Sequence, residues 1–320
     1  MSMKVYTRRQ LMAKAPVPWK NQYLTFKAVG SGTFTLSQNA VSYSLDEGVT
    51  WNTLVAGTAS PLVPAGKTIM WKGSLTPTSS AGIGTFSATN TFDIMGNPLS
   101  LIYNDNFKNV KSITGKEYAF YRLFNANAKL RYADNLYLTA TYCVGHCYRQ
   151  MFYNSTIISP PVIKAETFGT YSCNAMFQGC THLTSAPELP AKNLSTYTYY
   201  SMFYGCTSLV SAPSILPATT LQSSCYQSMF NRCSKIKSAP LLPALTLVTG
   251  CYRYMFEQCS QLNYVKAMFT STPGTSNNST QNWLTNVASS GTFVKNSAAT
   301  WNVRGASGIP NNWTIETADK

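Results

Sequence analysis

The feature that most limits what this chain can become is a phrase that returns at near-constant spacing. Met-Phe pairs stand at Met151-Phe152, Met176-Phe177, Met202-Phe203, Met229-Phe230 and Met255-Phe256, with steps of 25, 26, 27 and 26 residues. Leu123-Phe124 lies 28 residues before the first pair and reads as a degenerate opening copy. A second phrase follows at fixed offset: Ser-Ala-Pro-Glu-Leu-Pro-Ala from Ser185, Ser-Ala-Pro-Ser-Ile-Leu-Pro-Ala from Ser211 and Ser-Ala-Pro-Leu-Leu-Pro-Ala from Ser238. A fixed period of this size marks a solenoid, whose units cannot bury their apolar sides alone but cover one another when stacked.

A unit of this length is too short for two packed helices, which take ~34 residues. It fits one short helix or turn plus one short strand. The helical part is expected in Cys-Tyr-x-x-Met-Phe-x-x-Cys, because Cys225, Met229 and Cys233 lie four apart and would share one face. The two prolines of each Ala-Pro phrase block helix and impose an extended return. Leu183, Leu209, Ile236 and Leu262 each follow the second Cys by three residues and open the next strand. All nine cysteines fall inside the repeats, and Cys180, Cys206, Cys233 and Cys259 each stand four after a Met. They are expected to form a ladder of buried, reduced thiols, since an odd count does not make a disulfide framework.

The flanks divide the rest. Residues 1–20 form a basic arm with Lys4, Arg8, Arg9, Lys14 and Lys20 and no acidic residue, read either as a free tail or as an anchor peptide. Residues 21–108 alternate over Tyr23–Phe26, Thr33–Leu36 and Val41–Leu45, with Gly, Pro and Ser turns between, and read as a small antiparallel β-sandwich. Asp46-Glu47 is turn chemistry before it is a metal or acid–base pair. Residues 109–270 hold the solenoid. Residues 271–320, with Trp283, Phe293, Trp301, Ile309 and Trp313, supply a C-terminal cap. The expected fold class is therefore mainly β with short helices.

Charge and chemistry narrow the function. The 25 basic residues outnumber the 11 acidic ones for a net charge of +14, which suits an acidic partner. The basic residues form no continuous stripe with interleaved aromatics, so nucleic acid is not the expected partner. No run reaches the ~20 apolar residues of a membrane span, and the N-terminal stretch lacks the apolar core of an export signal. Cys143, His146 and Cys147 hint at zinc, but a fourth ligand is missing nearby and buried thiols explain them better. No catalytic set, cofactor motif or metal site is expected, and the chain is read as a non-enzyme. Tyr148, Tyr199, Tyr226 and Tyr252 occupy one repeat position, three before the Met. They form either a packing ladder, one helical step from the buried face, or an aromatic surface on which sugar rings or a partner stack.

The phrases CYQSMFNRCSKIKSAPLLPA and SMFYGCTSLVSAPSILPA resemble the BspA-type leucine-rich repeats abundant in Bacteroidales surface proteins and in phages that infect them. YSLDEGVTWNTL and NPLSLIYNDNF resemble the β-domain that often precedes such repeats, and GTFVKNSAATWNVRGASGIPNNWTI is similar to their ends. The likeness implies an adhesive or structural role. Two departures qualify it: the export signal of surface lipoproteins is lacking, and a basic arm is present. The repeat at 173 also differs, with Cys173 at the usual Tyr position and Ser172 at the usual first-Cys position. The missing export signal and the basic arm point to a phage virion protein, a capsid- or tail-attached fibre or decoration, assembled in the host cytoplasm and displayed on the virion surface. On that reading Lys4, Arg8 and Arg9 dock the arm on other virion proteins, and the repeats meet host-surface polysaccharide or protein. The chain would act as a homo-oligomer, a dimer or trimer, with no membrane insertion. The alternatives are a bacterial cell-surface adhesin and a carbohydrate-active enzyme.

Overall fold

A computed structural model describes residues 18–274 and 277–319. The proposed anchor residues Lys4, Arg8 and Arg9 lie outside the described residues. Among those residues the protein is mainly β, with a solenoid whose coils are joined by parallel bridges.

The N-terminal strands are β1 (Leu24–Ala28), β2 (Phe34–Leu36), β3 (Val41–Ser44), β4 (Asn52–Leu54), β5 (Thr68–Lys72), β6 (Phe86–Ala88) and β7 (Phe92–Gly96). They are followed by α1 (Ser100–Tyr103) and a 3-10 segment (Asn104–Asn109). Strands β7, β1, β5, β3 and β4 pair antiparallel in that order, and β2 pairs β6 as a separate two-stranded ribbon. The region is thus one five-stranded sheet with a ribbon rather than two matched sheets. Phe26 is its centre. Its ring meets Phe34, Trp71, Phe86 and Phe92 at 4.8–5.5 Å and at angles of 49–84°.

The sheet does not end at the boundary expected near residue 108. β7 pairs in parallel with β8 (Asn135–Leu138), which pairs in parallel with β10 (Val162–Ile163), while β9 (Tyr142–Cys143) and β11 (Thr167–Phe168) pair in parallel with each other. The first domain therefore continues directly into the solenoid, and β7 is buried along its whole length because both edges and both faces are covered. Gly96 ends β7 with φ +87, and a Cβ there would stand 2.0 Å from the Tyr23 carbonyl oxygen, so only glycine lets the two backbones approach this closely.

The short helices expected in the repeats are absent, and the reason is explicit in the hydrogen bonds. In the coil from His146 to Ser155, the N–H groups of Tyr148, Gln150 and Phe152 donate across to Ser172, Asn174 and Met176 in the next coil. Those of Arg149, Met151 and Tyr153 donate to the carbonyls three residues back. An α-helix would send every N–H to the residue four back at negative φ. Here every fourth residue is left-handed: His146 (φ 60), Gln150 (φ 53) and Asn154 (φ 53), then Tyr171, Ala175 and Gly179, then Tyr197, Ser201 and Gly205. The four-residue period seen in the sequence is real, but it is the period of a chain of tight turns. Left-handed backbone costs an L-residue roughly 1–2 kcal/mol. No β-branched residue stands at these positions, where it would be most strained.

The register across coils is fixed by the same bonds. Tyr118, His146, Tyr171, Tyr197, Ser224, Gly250 and Asn278 are equivalent positions in seven successive coils. The opening copy at Leu123-Phe124 is a true coil, since the Phe124 N–H donates to the Met151 carbonyl at 2.8 Å. Beyond residue 270 the coiling also goes on. β12 (Tyr264–Ala267), β13 (Thr292–Asn296) and β14 (Thr314–Ala318) form a parallel three-stranded sheet. The bulky cap residues Trp283, Phe293, Trp301, Ile309 and Trp313 are all buried. The indole N–H groups of Trp283, Trp301 and Trp313 each donate to a carbonyl, of Gly308, Phe269 and Ala288.

Candidate binding face

Three columns run through the solenoid interior. Phe124, Phe152, Phe177, Phe203, Phe230 and Phe256 stack at 5.3–5.5 Å with planes 1–12° apart. The second column is Phe120–Tyr148 and, farther on, Tyr199–Tyr226–Tyr252, at 5.7–5.9 Å. The third is thiols: Cys180, Cys206, Cys233 and Cys259 donate at 2.9–3.1 Å to the carbonyls of Phe152, Phe177, Phe203 and Phe230 in the preceding coil. All nine cysteines are free and buried. Burial pushes the Cys180 and Cys225 thiols up to about 12 and that of Cys251 to about 11, which keeps them protonated and unreactive at neutral pH.

These positions correct the aromatic-contact reading of the tyrosines. Tyr148, Tyr199, Tyr226 and Tyr252 are each 1% exposed, so none offers a ring to a ligand. They are packing residues because the turn chain points two adjacent positions of every four inward, where a helix would have left them at the edge of its face. The break in their column at Cys173 is filled from the side. Thr167-Phe168 pairs with Tyr142-Cys143, so Phe168 stands where the previous coil has Cys143. Its ring meets Tyr199 edge-on at 5.6 Å. One coil places a small residue at the strand and Tyr148 in the turn chain. The next reverses the sizes, keeping the packed volume nearly level.

The Cys143, His146 and Cys147 set does not converge. Both thiols lie in the core, while His146 is half-buried on the outer face between Tyr118 (4.3 Å, 6°) and Tyr171 (5.1 Å, 10°). Among the described residues no group of three His, Cys, Asp or Glu side chains is placed to hold a metal ion. Burial and then the Arg149 charge hold the His146 imidazole below its ordinary pKa, so it is a neutral ring in the stack.

That stack is what the sequence reading missed. Tyr118, His146, Tyr171 and Tyr197 are half-buried, equivalent by register, and stacked in one outer column, with Tyr171 and Tyr197 at 4.7 Å and 10°. The guanidinium of Arg149 lies 5.6 Å from the Tyr121 ring and 5.7 Å from the Tyr171 ring. The signal was present at the position immediately before the Cys-Tyr pair, or its equivalent, in each coil, but it is broken by His146 and ends at Ser224, so it does not look periodic. Beyond Tyr197 the column gives way to a cleft of about 450 Å³, lined among others by Asn174, Tyr200, Gln227 and Arg253. On the proline-phrase side a second cleft of about 900 Å³ includes Asp134, Glu166 and Glu188. Among the described residues no helix is long and apolar enough to cross a membrane. The fold and this face define a β-solenoid with an aromatic, arginine-bearing outer column. No protein-family model, curated protein or solved structure matches the chain.

Proposed function

We propose that this chain is a phage virion structural protein, a capsid- or tail-attached fibre or decoration that presents its coils to a host-surface polysaccharide. The observation that carries the adhesive part is the outer column of Tyr118, His146, Tyr171 and Tyr197, whose rings are kept at the surface although the core has its own two aromatic columns. Within the stack each ring covers the face of the next, so the column offers ring edges along its length and, at the Tyr197 end where Ser224 follows, a face with no neighbouring ring to meet the flat side of a sugar. The virion part rests on the resemblance of the repeat phrases and on the basic arm, including Lys4, Arg8 and Arg9, as the docking segment to other virion proteins. Oligomerisation as a dimer or trimer would multiply weak contacts.

Fractionation of the native source tests this reading. Recovery of the chain from purified particles is the expected result, with label at the particle surface by immunogold microscopy. Recovery from an outer-membrane fraction instead would make it a bacterial surface adhesin. Cleavage of a bound glycan, lost on substituting Glu166 or Glu188, would make it a carbohydrate-active enzyme and overturn the structural role.

A further inference from the structure

The outer ring column is interrupted, and the interruption has the dimensions and chemistry of a binding slot. The next two equivalent positions after Tyr197 are Ser224 and Gly250, so two successive coils carry no ring. Coils are about 4.8 Å apart, which opens a gap on the order of 10 Å beside the outer face of Tyr197. Asn278 of the following coil stands at the far end. The gap lies within the cleft of about 450 Å³, whose polar lining includes Asn174, Gln227 and Arg253 and no acidic residue.

Arg253 sets the charge of the ligand. Its guanidinium is held over the Tyr254 ring at 4.7 Å and donates to the Tyr254 hydroxyl at 3.1 Å. Its Nε is shut off from solvent, so the terminal amino groups are what a ligand can meet, and among the described residues no carboxylate pairs with it. An oriented guanidinium with no carboxylate partner beside an aromatic ring matches a sugar ring that has one apolar face and one carboxylate. The geometry points to a hexuronate residue of an acidic polysaccharide, stacked on Tyr197 as the next member of the column and held by Arg253. This deepens the adhesive reading above and rests on it for the polymeric nature of the ligand.

Titration calorimetry at low salt with galacturonate and mannuronate tetrasaccharides tests the slot, with maltotetraose as the neutral control. At least one acidic oligomer binds about tenfold or more tighter than maltotetraose, since a charge-assisted pair is the difference between them. Arg253→Gln removes that preference, and Tyr197→Ala weakens binding about tenfold. Ser224→Tyr is the decisive variant. Tyr171 and Tyr197 already hold a ring at this position with φ 57 and 58, and Ser224 has φ 54, so the backbone accepts a ring there and the new ring is expected to enter the slot. Its unfolding midpoint is unchanged or raised and its oligomer binding is lost. Binding of neither acidic oligomer, equal binding of maltotetraose, or wild-type affinity in folded Ser224→Tyr each overturns the assignment. Should Ser224→Tyr fail to fold, wild-type preference in Arg253→Gln overturns it. Loss of the slot in this way leaves the virion reading standing, and absence from particles leaves the slot standing.

Discussion

The N-terminal sheet and the solenoid bury the same kinds of aromatic side chain in opposite ways. Around Phe26 the rings meet at 49–84°, whereas along the Phe column they meet at 1–12°. In the sheet each ring comes from a different strand at its own height, and edge-to-face approach suits the ring quadrupoles. In the solenoid each ring is a translated copy of the one before. Parallel planes are imposed by the coil repeat, and their spacing of more than 5 Å shows that backbone pitch, not ring attraction, sets the distance. One region is a single unique cluster. The other is a one-dimensional array in which each unit leans only on its neighbours.

The largest effect should come from the cluster. Phe26 also touches Phe124 of the opening coil at 5.9 Å, so Phe26→Ala damages both the sheet and the first layer of the array. We expect a loss of about 3–5 kcal/mol by urea denaturation, with both regions unfolding together. Phe203→Ala, inside the array, should instead let spectroscopic probes at the two ends separate. Coincident transitions in Phe203→Ala would erase the distinction between a single cluster and a one-dimensional array.

A smaller effect tests whether neighbouring coils exchange volume. Cys173→Tyr should cost about 1–3 kcal/mol, because Phe168 already fills the space. Adding Phe168→Leu should recover most of that loss, since the next coil combines Leu194 with Tyr199. Additive losses in the double variant would show that the size swap between Phe168 and Cys173 is incidental.

Smaller still is the test that separates turn chain from helix. Gln258 is exposed with φ 61, and glycine stands at the equivalent place in Gly179 and Gly205. Gln258→Gly should stabilise by about 0.5 kcal/mol, as left-handed strain is relieved against a greater loss of chain entropy. In a helix the same change would destabilise by about 0.5–1 kcal/mol. The sign of a shift in thermal midpoint decides between them.

Acid should distinguish the two regions by the pH at which each weakens. His146 in the solenoid is held below its ordinary 6.5, so the unfolded chain takes up its proton first. Its contribution is full above pH 6.5 and is lost as pH falls toward the depressed native value. In the sheet region, hydrogen bonds from the Thr50 hydroxyl and amide, and then from the Ser44 hydroxyl, bring Asp46 down to about 2. Bonds from Lys72 and Tyr23 lower Asp105. Their contributions are full above the ordinary carboxylate value of 3.8 and are lost as pH falls below it. His146→Gln should flatten the stability profile just below pH 6.5, and Asp46→Asn should flatten it only below about pH 4. A profile unchanged by either substitution would remove these groups as the source.

The sequence by itself determined the repeat, its period, the burial of Met, Phe and Cys, the reduced thiols and the cap aromatics. Those depend on which residues recur and on the need of each unit for a covering neighbour. It also gave Asp46 to a turn, where four local hydrogen bonds now hold it. Only the tertiary structure decided that the repeat is a chain of turns, because residues four apart share a face in both a helix and a four-residue turn period. The fusion of β7 to β8, likewise, joins residues about forty apart through backbone groups that carry no side-chain signature. The candidate site belongs to the same class: Tyr197, Ser224 and Arg253 sit in three successive coils, and an open slot is made by the residue that fails to repeat. What a sequence states outright is its regularity; where that regularity lapses, only the stacking of one coil on another shows what the lapse exposes.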